Sequence, residues 1–330
     1  MPSHLIGIAR LAANAPSLQA KRTTEYFQLP AYELLTRCTS TRVPFEWSIN
    51  PYRGCEFACK YCYARYTHEF MELRDPTDFE HKIFAKQFNP IAFRERLRKI
   101  DPQERIAIGT ATDPYQPAER RYRVTRSILE IFATMQGREI SIVTKSDLVA
   151  RDKELLAGVA RNNNLFVNLT VTTMDGQLAR VLEPMAPRPE LRLAAVRELR
   201  GIGLACGILC APLLPGINDR ESDLDALAAA GAAAGAQWLT GHGVFPRGSA
   251  KEVFFGFLSQ YSPGLMSHYQ RVFGDAVFLN KEHALRIQAR LAYVAEKYRL
   301  APRAAHFPST LCPVDCQKLP MFEGTSMLIF

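Results

Sequence analysis

Between Ile49 and Tyr66 the chain reads INPYRGCEFACKYCYARY and carries three of its eight cysteines, Cys55, Cys59 and Cys62, spaced C-x3-C-x2-C. Three thiolates this close can converge on one iron centre. A 4Fe–4S cluster normally takes four cysteines, one per iron. The next cysteine along the chain is Cys206, so the economical reading is a cluster with three protein ligands and one iron left open. An open coordination position is where a metal site does chemistry. Two plainer readings stand beside it. Zinc motifs pair C-x2-4-C with a second pair or with His-x3-5-His, and the nearest histidine, His68, is on the wrong rhythm. Three unrelated core thiols, or a metal-binding interaction protein without turnover, complete the alternatives.

The elements that must carry this loop follow from the pattern. RVPFEWSIN reads as a strand with the cysteine loop directly after it. Five more strands are expected at residues 106–109, 139–144, 165–173, 204–211 and 237–245. Helices are expected between them at 92–100, 117–135, 148–161, 189–199 and 219–234. Residues 79–87 are mixed, a short strand or a turn. Six strands alternating with helices imply parallel strands joined by right-handed crossovers, in an open sheet or a barrel. Residues 1–42 read as an N-terminal extension, 43–245 as the α/β core, and 246–330 as a mainly helical C-terminal region with an irregular Pro-rich tail. The aromatic residues Phe254, Phe255, Phe257 and Tyr261 on a helix at 253–261 read as core.

Several polar residues fall just past the expected strand ends. Gly109-Thr110-Ala111-Thr112-Asp113 offers carbonyl, hydroxyl and carboxylate oxygens, the groups an ammonium needs. Lys145 follows the third strand, as a compact point charge for a carboxylate or as a solvated surface lysine. Asn168, Thr170 and Thr172 alternate on the fourth strand and share one face. Cys206, Ile208 and Cys210 share a face of the fifth. Cys210 is either a hydrogen-atom donor or a small buried hydrophobe. Cys38 reads as an inert thiol. Cys312 and Cys316 form a spaced pair that could join Cys206 and Cys210 around a second metal, or act as a redox pair.

The C-x3-C-x2-C spacing with Tyr61 before the third cysteine resembles the signature of the radical SAM superfamily, and NPYRGC…YCYAR resembles its spore photoproduct lyase-like branch. The resemblance extends through most of residues 43–245. It implies a partial (β/α)6 barrel of the TIM type, with the active site at the C-terminal ends of the strands. It implies that the open iron chelates S-adenosyl-L-methionine, which one electron cleaves to methionine and a 5′-deoxyadenosyl radical, with flavodoxin or ferredoxin as the reductant. It further implies roles for Thr112 and Asp113 at the cofactor's amino group, Lys145 at its carboxylate, Thr170 and Thr172 in the lumen, and Tyr61 and Tyr63 beside the adenine. The lyases of this branch carry a cysteine near the position of Thr110. Its absence here argues against thymine-dimer repair by the same hydrogen relay.

Composition bounds the rest. At 330 residues, 47% apolar and 22% charged, the chain is ordinary for a soluble globular protein. No apolar run is long enough to span a bilayer, and no signal peptide is read at the N-terminus. Eight cysteines without a secretion signal favour metal binding in a reducing cytoplasm over a disulfide framework. The balance of 41 Lys+Arg against 33 Asp+Glu, a net +8, admits a nucleic-acid partner, although the basic residues are spread rather than clustered. Nucleic acid, a peptide, a tRNA or a small metabolite all remain open as substrate.

Overall fold

The computed structural model describes residues 5–21, 24–274 and 276–301. Cys312 and Cys316, expected as a metal or redox pair, lie outside them. The chain forms strands β1 (Ser17–Lys21), β2 (Thr24–Pro30), β3 (Leu35–Arg37), β4 (Trp47–Ile49), β5 (Tyr52–Arg53), β6 (Lys82–Gln87), β7 (Arg105–Ile108), β8 (Glu139–Thr144), β9 (Asn164–Thr170), β10 (Ala205–Leu213) and β11 (Leu239–Gly243). Seven of these make the main sheet in the order β11-β10-β9-β8-β7-β4-β3. The six from β4 to β11 are parallel neighbours, and β3 joins antiparallel to β4. These are the six strands expected from the sequence, in chain order, as a partial barrel.

The alternation of buried side chains fixes which face of the sheet is which. Ile140, Ile142, Leu165, Val167, Leu169, Cys206, Ile208 and Cys210 share one hydrophobic core with Leu193, Val196 and Leu199 of the helix Pro189–Gly201 and Leu224 and Leu227 of the helix Glu221–Ala233. Gly231 in the latter helix approaches so closely that a Cβ there would sit 3.2 Å from Ile208 Cγ1. This is the outer, helix-covered face. The opposite face is the lumen, plugged at its base by Trp238. The indole Nε1 donates to Asn168 Oδ1 at 3.0 Å, and Asn168 Nδ2 donates to Ser141 Oγ at 3.0 Å. Gly207 is required under the indole, since a Cβ would lie 2.2 Å from it. Buried polar side chains thus meet partners inside the barrel rather than facing the helices.

Three elements differ from expectation for identifiable reasons. Residues read as an extension supply β1, β2 and β3. A second sheet runs β1-β2-β6-β5, with β2 parallel to β6, so the mixed stretch at 79–87 is a strand paired with residues over fifty positions earlier. The helix expected at 117–135 is broken into Glu119–Tyr122 and Val124–Phe132 at Arg123, whose φ of 53° is left-handed. The buried carboxylate of Glu119 causes the break to be useful: it accepts the N–H groups of Thr125 at 2.9 Å and Arg126 at 3.1 Å and so caps the second helix. A further helix, Gly176–Leu182, is capped by Asp175, which accepts from the amides of Gln177 and Leu178. Phe254 is core, packed on Tyr269 at 5.5 Å. The helix Lys281–Lys297 covers β11, with Leu291 and Ile287 against Gly241 and Gly243.

Candidate active site

The cysteine loop leaves the C-terminal end of β4 and passes through β5 before reaching Cys55. Gly54 makes the turn possible. Its φ is +81°, and a Cβ would lie 2.8 Å from the carbonyl oxygens of Phe79 and Lys82, a position no L side chain fits. Cys55 N then donates to Phe79 O at 2.8 Å, Lys60 N to Leu182 O at 2.9 Å, and Cys62 N to Cys59 O at 3.2 Å. The Arg65 guanidinium donates to Cys59 O at 3.1 Å and pairs with Glu80. The loop is therefore fastened from both sides by backbone bonds and a buried arginine.

Cys55 and Cys59 are buried, and Cys62 is half-buried. Burial pushes all three thiols up, Cys59 to about 12. For Cys55 the negative charges of Asp113, Cys59 and Cys62 add to burial, while Lys145 opposes the rise at Cys59 and Arg65 opposes it at Cys62. Three mutually repelling, desolvated sulfurs with cations close by suit an electropositive iron cluster, which relieves both burdens. Among the described residues no group of three or more His, Cys, Asp or Glu side chains is already closed around a metal-sized site. The donor set fits a cluster held by Cys55, Cys59 and Cys62.

Thr112 and Asp113 lie at the end of β7, buried, with their oxygens already engaged. Thr112 Oγ1 donates to Gly54 O at 2.6 Å and accepts from Gln116 Nε2 at 3.0 Å. Asp113 Oδ1 accepts from Thr144 Oγ1 at 2.6 Å and from Tyr115 N at 2.9 Å, and Oδ2 accepts from Lys145 N at 2.7 Å. Burial raises its carboxyl against the pull of these bonds. The pair ties the cysteine loop to the ends of β7 and β8, and so sets where Lys145 begins.

Lys145 Nζ stands 5.6 Å from the centroid of the Tyr61 ring, close enough for a cation–π contact. Burial opposes its charge, but Cys59 and Glu183 hold its pKa above the ordinary lysine value. It forms no ion pair among the described residues. Tyr61 is fixed in turn by Glu183, a fully buried carboxylate that no sequence pattern marked. Glu183 accepts from the Tyr61 hydroxyl and from Thr172 Oγ1, the latter at 3.1 Å, and pairs with Arg192. Arg192 also donates to Thr170 O at 2.9 Å and Pro187 O at 2.8 Å. Burial works against the charge on Glu183, yet Arg192 and Lys145 keep its carboxyl below the usual range. Tyr61, Lys145, Thr170 and Thr172 are thus brought together at the mouth of the lumen.

Cys210 is not part of this group. It shares the helix-facing side of β10 with Cys206 and Ile208 and has no exposed surface. Burial pushes its thiol to about 12. The expectation of a catalytic Cys210 is corrected on this ground: a strand side chain turned toward the helices cannot meet a lumen substrate, and the small-hydrophobe reading holds.

Beside the loop, an aromatic rim with two arginines lies at the barrel mouth. Tyr63, whose hydroxyl donates to Thr110 O, packs on Phe245 with centroids 4.7 Å apart, and Phe245 stacks on Phe278 at 5.7 Å. Arg42 caps Phe278 at 3.8 Å, and Arg247 lies 5.0 Å over Tyr66, which meets Phe70 edge-on. Phe70 is 58% exposed and Phe278 43%. Of these residues the sequence marked only Tyr63; Tyr66 and Phe70 follow it on the helix Tyr63–Met71, while Arg42, Phe245, Arg247 and Phe278 come from segments distant along the chain.

The model of the Radical SAM superfamily matches residues 49–228. The Uncharacterized protein Rv2578c of Mycobacterium tuberculosis is 33% identical over 309 residues, covering 90% of this chain and 91% of its own length. The Uncharacterized protein MJ0683 of Methanocaldococcus jannaschii is 30% identical over 186 residues, covering 55% of this chain and 66% of its own length. Among solved structures, a spore photoproduct lyase complexed with dinucleoside spore photoproduct superposes with a TM-score of 0.63 at 17% identity, covering 83% of this chain and 80% of that one. That similarity carries the fold, and the family match covers more than half of the chain, cysteine loop included. The chain belongs to the radical SAM superfamily, whose members use a 4Fe–4S cluster and S-adenosyl-L-methionine.

Proposed function

We propose that this protein removes a hydrogen atom from a nucleic-acid substrate, with DNA the first candidate, held at the mouth of the barrel. When bound, the cluster supplies one electron to S-adenosyl-L-methionine and so generates the 5′-deoxyadenosyl radical. The protein's own residues do the rest. Cys55, Cys59 and Cys62 ligate the cluster. Lys145 receives the cofactor carboxylate, Thr170 and Thr172 line the lumen beside it, and Tyr61 and Tyr63 flank the adenine. Thr112 and Asp113 act by holding the strand ends in place, with the backbone oxygens of that segment left for the ammonium. The lumen keeps water and stray thiols from the reactive carbon.

The observation that carries the cofactor assignment is Lys145: an ammonium within electrostatic reach of Cys59 and Cys62, without an ion-pair partner among the described residues. The aromatic–arginine rim favours the nucleic-acid substrate. Aromatic faces stack on any base, and guanidinium groups meet phosphate. The similar lyase's bound dinucleoside and the net charge of +8 agree with that choice. Lyase-type dimer repair is not favoured, since Thr110 supplies no S–H bond and Cys210 faces the helices. A peptide or a small metabolite is the alternative. In the described residues no helix is long and apolar enough to cross a membrane, and the reading places the enzyme in the cytoplasm, where an oxygen-sensitive cluster survives.

Anaerobic reconstitution with iron and sulfide is expected to give a 4Fe–4S spectrum, and dithionite with S-adenosyl-L-methionine to give 5′-deoxyadenosine. Equal product from C59A refutes the cluster assignment. Single-stranded DNA is expected to bind with an affinity that falls steeply with salt and to weaken in R42E/R247E. A salt-independent or absent interaction moves the substrate to the alternative class.

A further inference from the structure

The cluster loop is also flanked by the segment that follows the C-terminal end of β9. That segment holds the turn between the helices Gly176–Leu182 and Pro189–Gly201. Two backbone bonds seal this turn to the loop: Lys60 N to Leu182 O at 2.9 Å, and Met185 N to Phe57 O at 3.3 Å. A shallow recess opens here, lined by Arg180, Ala186, Pro187 and Arg188, and its floor reaches Glu183. Glu183 in turn bonds the hydroxyl of Tyr61, which sits between two of the cluster cysteines. Solvent is therefore separated from the cysteine loop at this point by one turn of chain.

The chemistry of the recess surface is specific. Met185 is 64% exposed, a large apolar side chain at the centre of the turn. Arg180, Arg188 and Lys60 stand around it, and none of them forms an ion pair among the described residues. Glu183 is paired with Arg192 and Asp175 caps its helix, which leaves Glu190, exposed on the first turn of the next helix, as the one nearby carboxylate not engaged among the described residues. An apolar contact ringed by unpaired cations, one residue from a cluster ligand, has the form of a docking site for a small acidic partner. Electron-transfer complexes use small, transient interfaces of this kind, steered by opposite charge.

Resting on the assignment of the cluster above, we propose that the surface formed by Lys60, Arg180, Met185 and Arg188 is where a small acidic one-electron carrier protein docks to reduce the cluster. In the step, one electron leaves the carrier's reduced flavin, which passes from hydroquinone to semiquinone, and enters the oxidised cluster. No bond is formed or broken in the protein.

The test uses the reconstituted enzyme and flavodoxin hydroquinone, with R180E/R188E as the variant. Stopped-flow bleaching of the cluster absorbance reads the second-order rate of reduction, and titration of the oxidised enzyme with oxidised flavodoxin reads binding. The expected result is a rate at least tenfold lower in the variant, weaker binding, and loss of most of the salt dependence seen in the unaltered enzyme. Cofactor cleavage driven by dithionite is expected to be unchanged, because a small chemical reductant needs no docking surface. R98E/K99E, a charge reversal at the far end of the barrel, serves as the control. A variant rate within twofold of the unaltered enzyme, an equal loss in the control, or an equal loss with dithionite overturns the proposal. Failure of the unaltered enzyme to cleave the cofactor with dithionite would instead refute the cluster assignment, so the two outcomes are distinct.

Discussion

The pair Glu183–Arg192 allows a quantitative test of how the cysteine loop is held. Both side chains are inaccessible to solvent, at 0% and 1% exposure. Glu183→Gln keeps the shape of the side chain and an oxygen for Tyr61 and Thr172, but it turns an NH2 group toward the Arg192 guanidinium. The result is a buried cation facing a donor. Breaking a buried pair in this way costs about 3–5 kcal/mol, mostly from the uncompensated charge. Glu183→Gln/Arg192→Met removes that charge as well. What remains is the loss of partners for the carbonyls of Thr170 and Pro187 and for the new amide NH2, about 1–3 kcal/mol for each that stays buried. The double variant is therefore expected to lose less stability than the sum of the two single variants, because the uncompensated charge is counted in each single and absent from the double. Urea unfolding of the cluster-free protein measures all three variants, with the shift in midpoint at constant slope giving the difference. A single variant destabilised by less than about 1 kcal/mol, or a double variant equal to the sum of the two singles, would refute the view that Glu183 is anionic and paired under the loop.

Three further outcomes are expected. Gly54→Ala forces a left-handed residue and a clash with two backbone carbonyls; the backbone term alone is about 1–2 kcal/mol, so a loss above 2 kcal/mol and poor iron uptake after reconstitution should be seen by urea unfolding and iron assay. Lys145→Met should weaken S-adenosyl-L-methionine binding roughly 10–100-fold, the worth of one charge-assisted hydrogen bond of about 1.5–3 kcal/mol, with iron content unchanged; equilibrium binding to the reconstituted protein reads this, and an unchanged affinity removes Lys145 from the site. His68 is buried between Phe79 and Phe84, with Nε2 3.1 Å from Lys82 O, and burial, with Arg53 nearby, lowers its pKa to about 4 despite Asp78. Its folded pKa is below the unfolded value near 6.5, so the unfolded chain binds the extra proton and stability falls as pH drops from about 6.5 to 4, by about 3 kcal/mol at most. Unfolding midpoints across that window should slope less in His68→Gln.

How much of this was legible in the sequence depends on how local the physics is. The cysteine spacing is set within eight residues, so it could be read directly. The six parallel strands could be read because each is a short apolar run bounded by turn residues, as in Ile106-Ala107-Ile108. The second sheet could not. β5 is two residues long, and β2 joins β1 to β6, a strand more than fifty positions away. Periodicity also gave the right alternation on β10 but not its sign. Cys206, Ile208 and Cys210 had to share a face, yet only the position of the helices over Ile208 decides that the face is outward. The same rule on β9 put Asn168 inside, where Trp238 and Ser141 complete its hydrogen bonds.

The residues that sequence reasoning missed share one property: each makes sense only through a distant partner. Glu183 reads as an ordinary surface carboxylate before a proline until Arg192 neutralises it and Tyr61, 122 positions away, donates to it. That neutralisation has a consequence for the cofactor. Glu183 and Lys145 both lie within electrostatic reach of Cys59, so a free Glu183 carboxylate would attract the Lys145 ammonium. Arg192 occupies Glu183 with a guanidinium fork, and Asp113 accepts from the backbone N–H of Lys145 rather than from its side chain. Two buried carboxylates stand close to the lysine, and both are satisfied by other donors. The ammonium is left over the Tyr61 ring, charged, desolvated and available to an incoming carboxylate, which is the condition a cofactor-binding cation must meet.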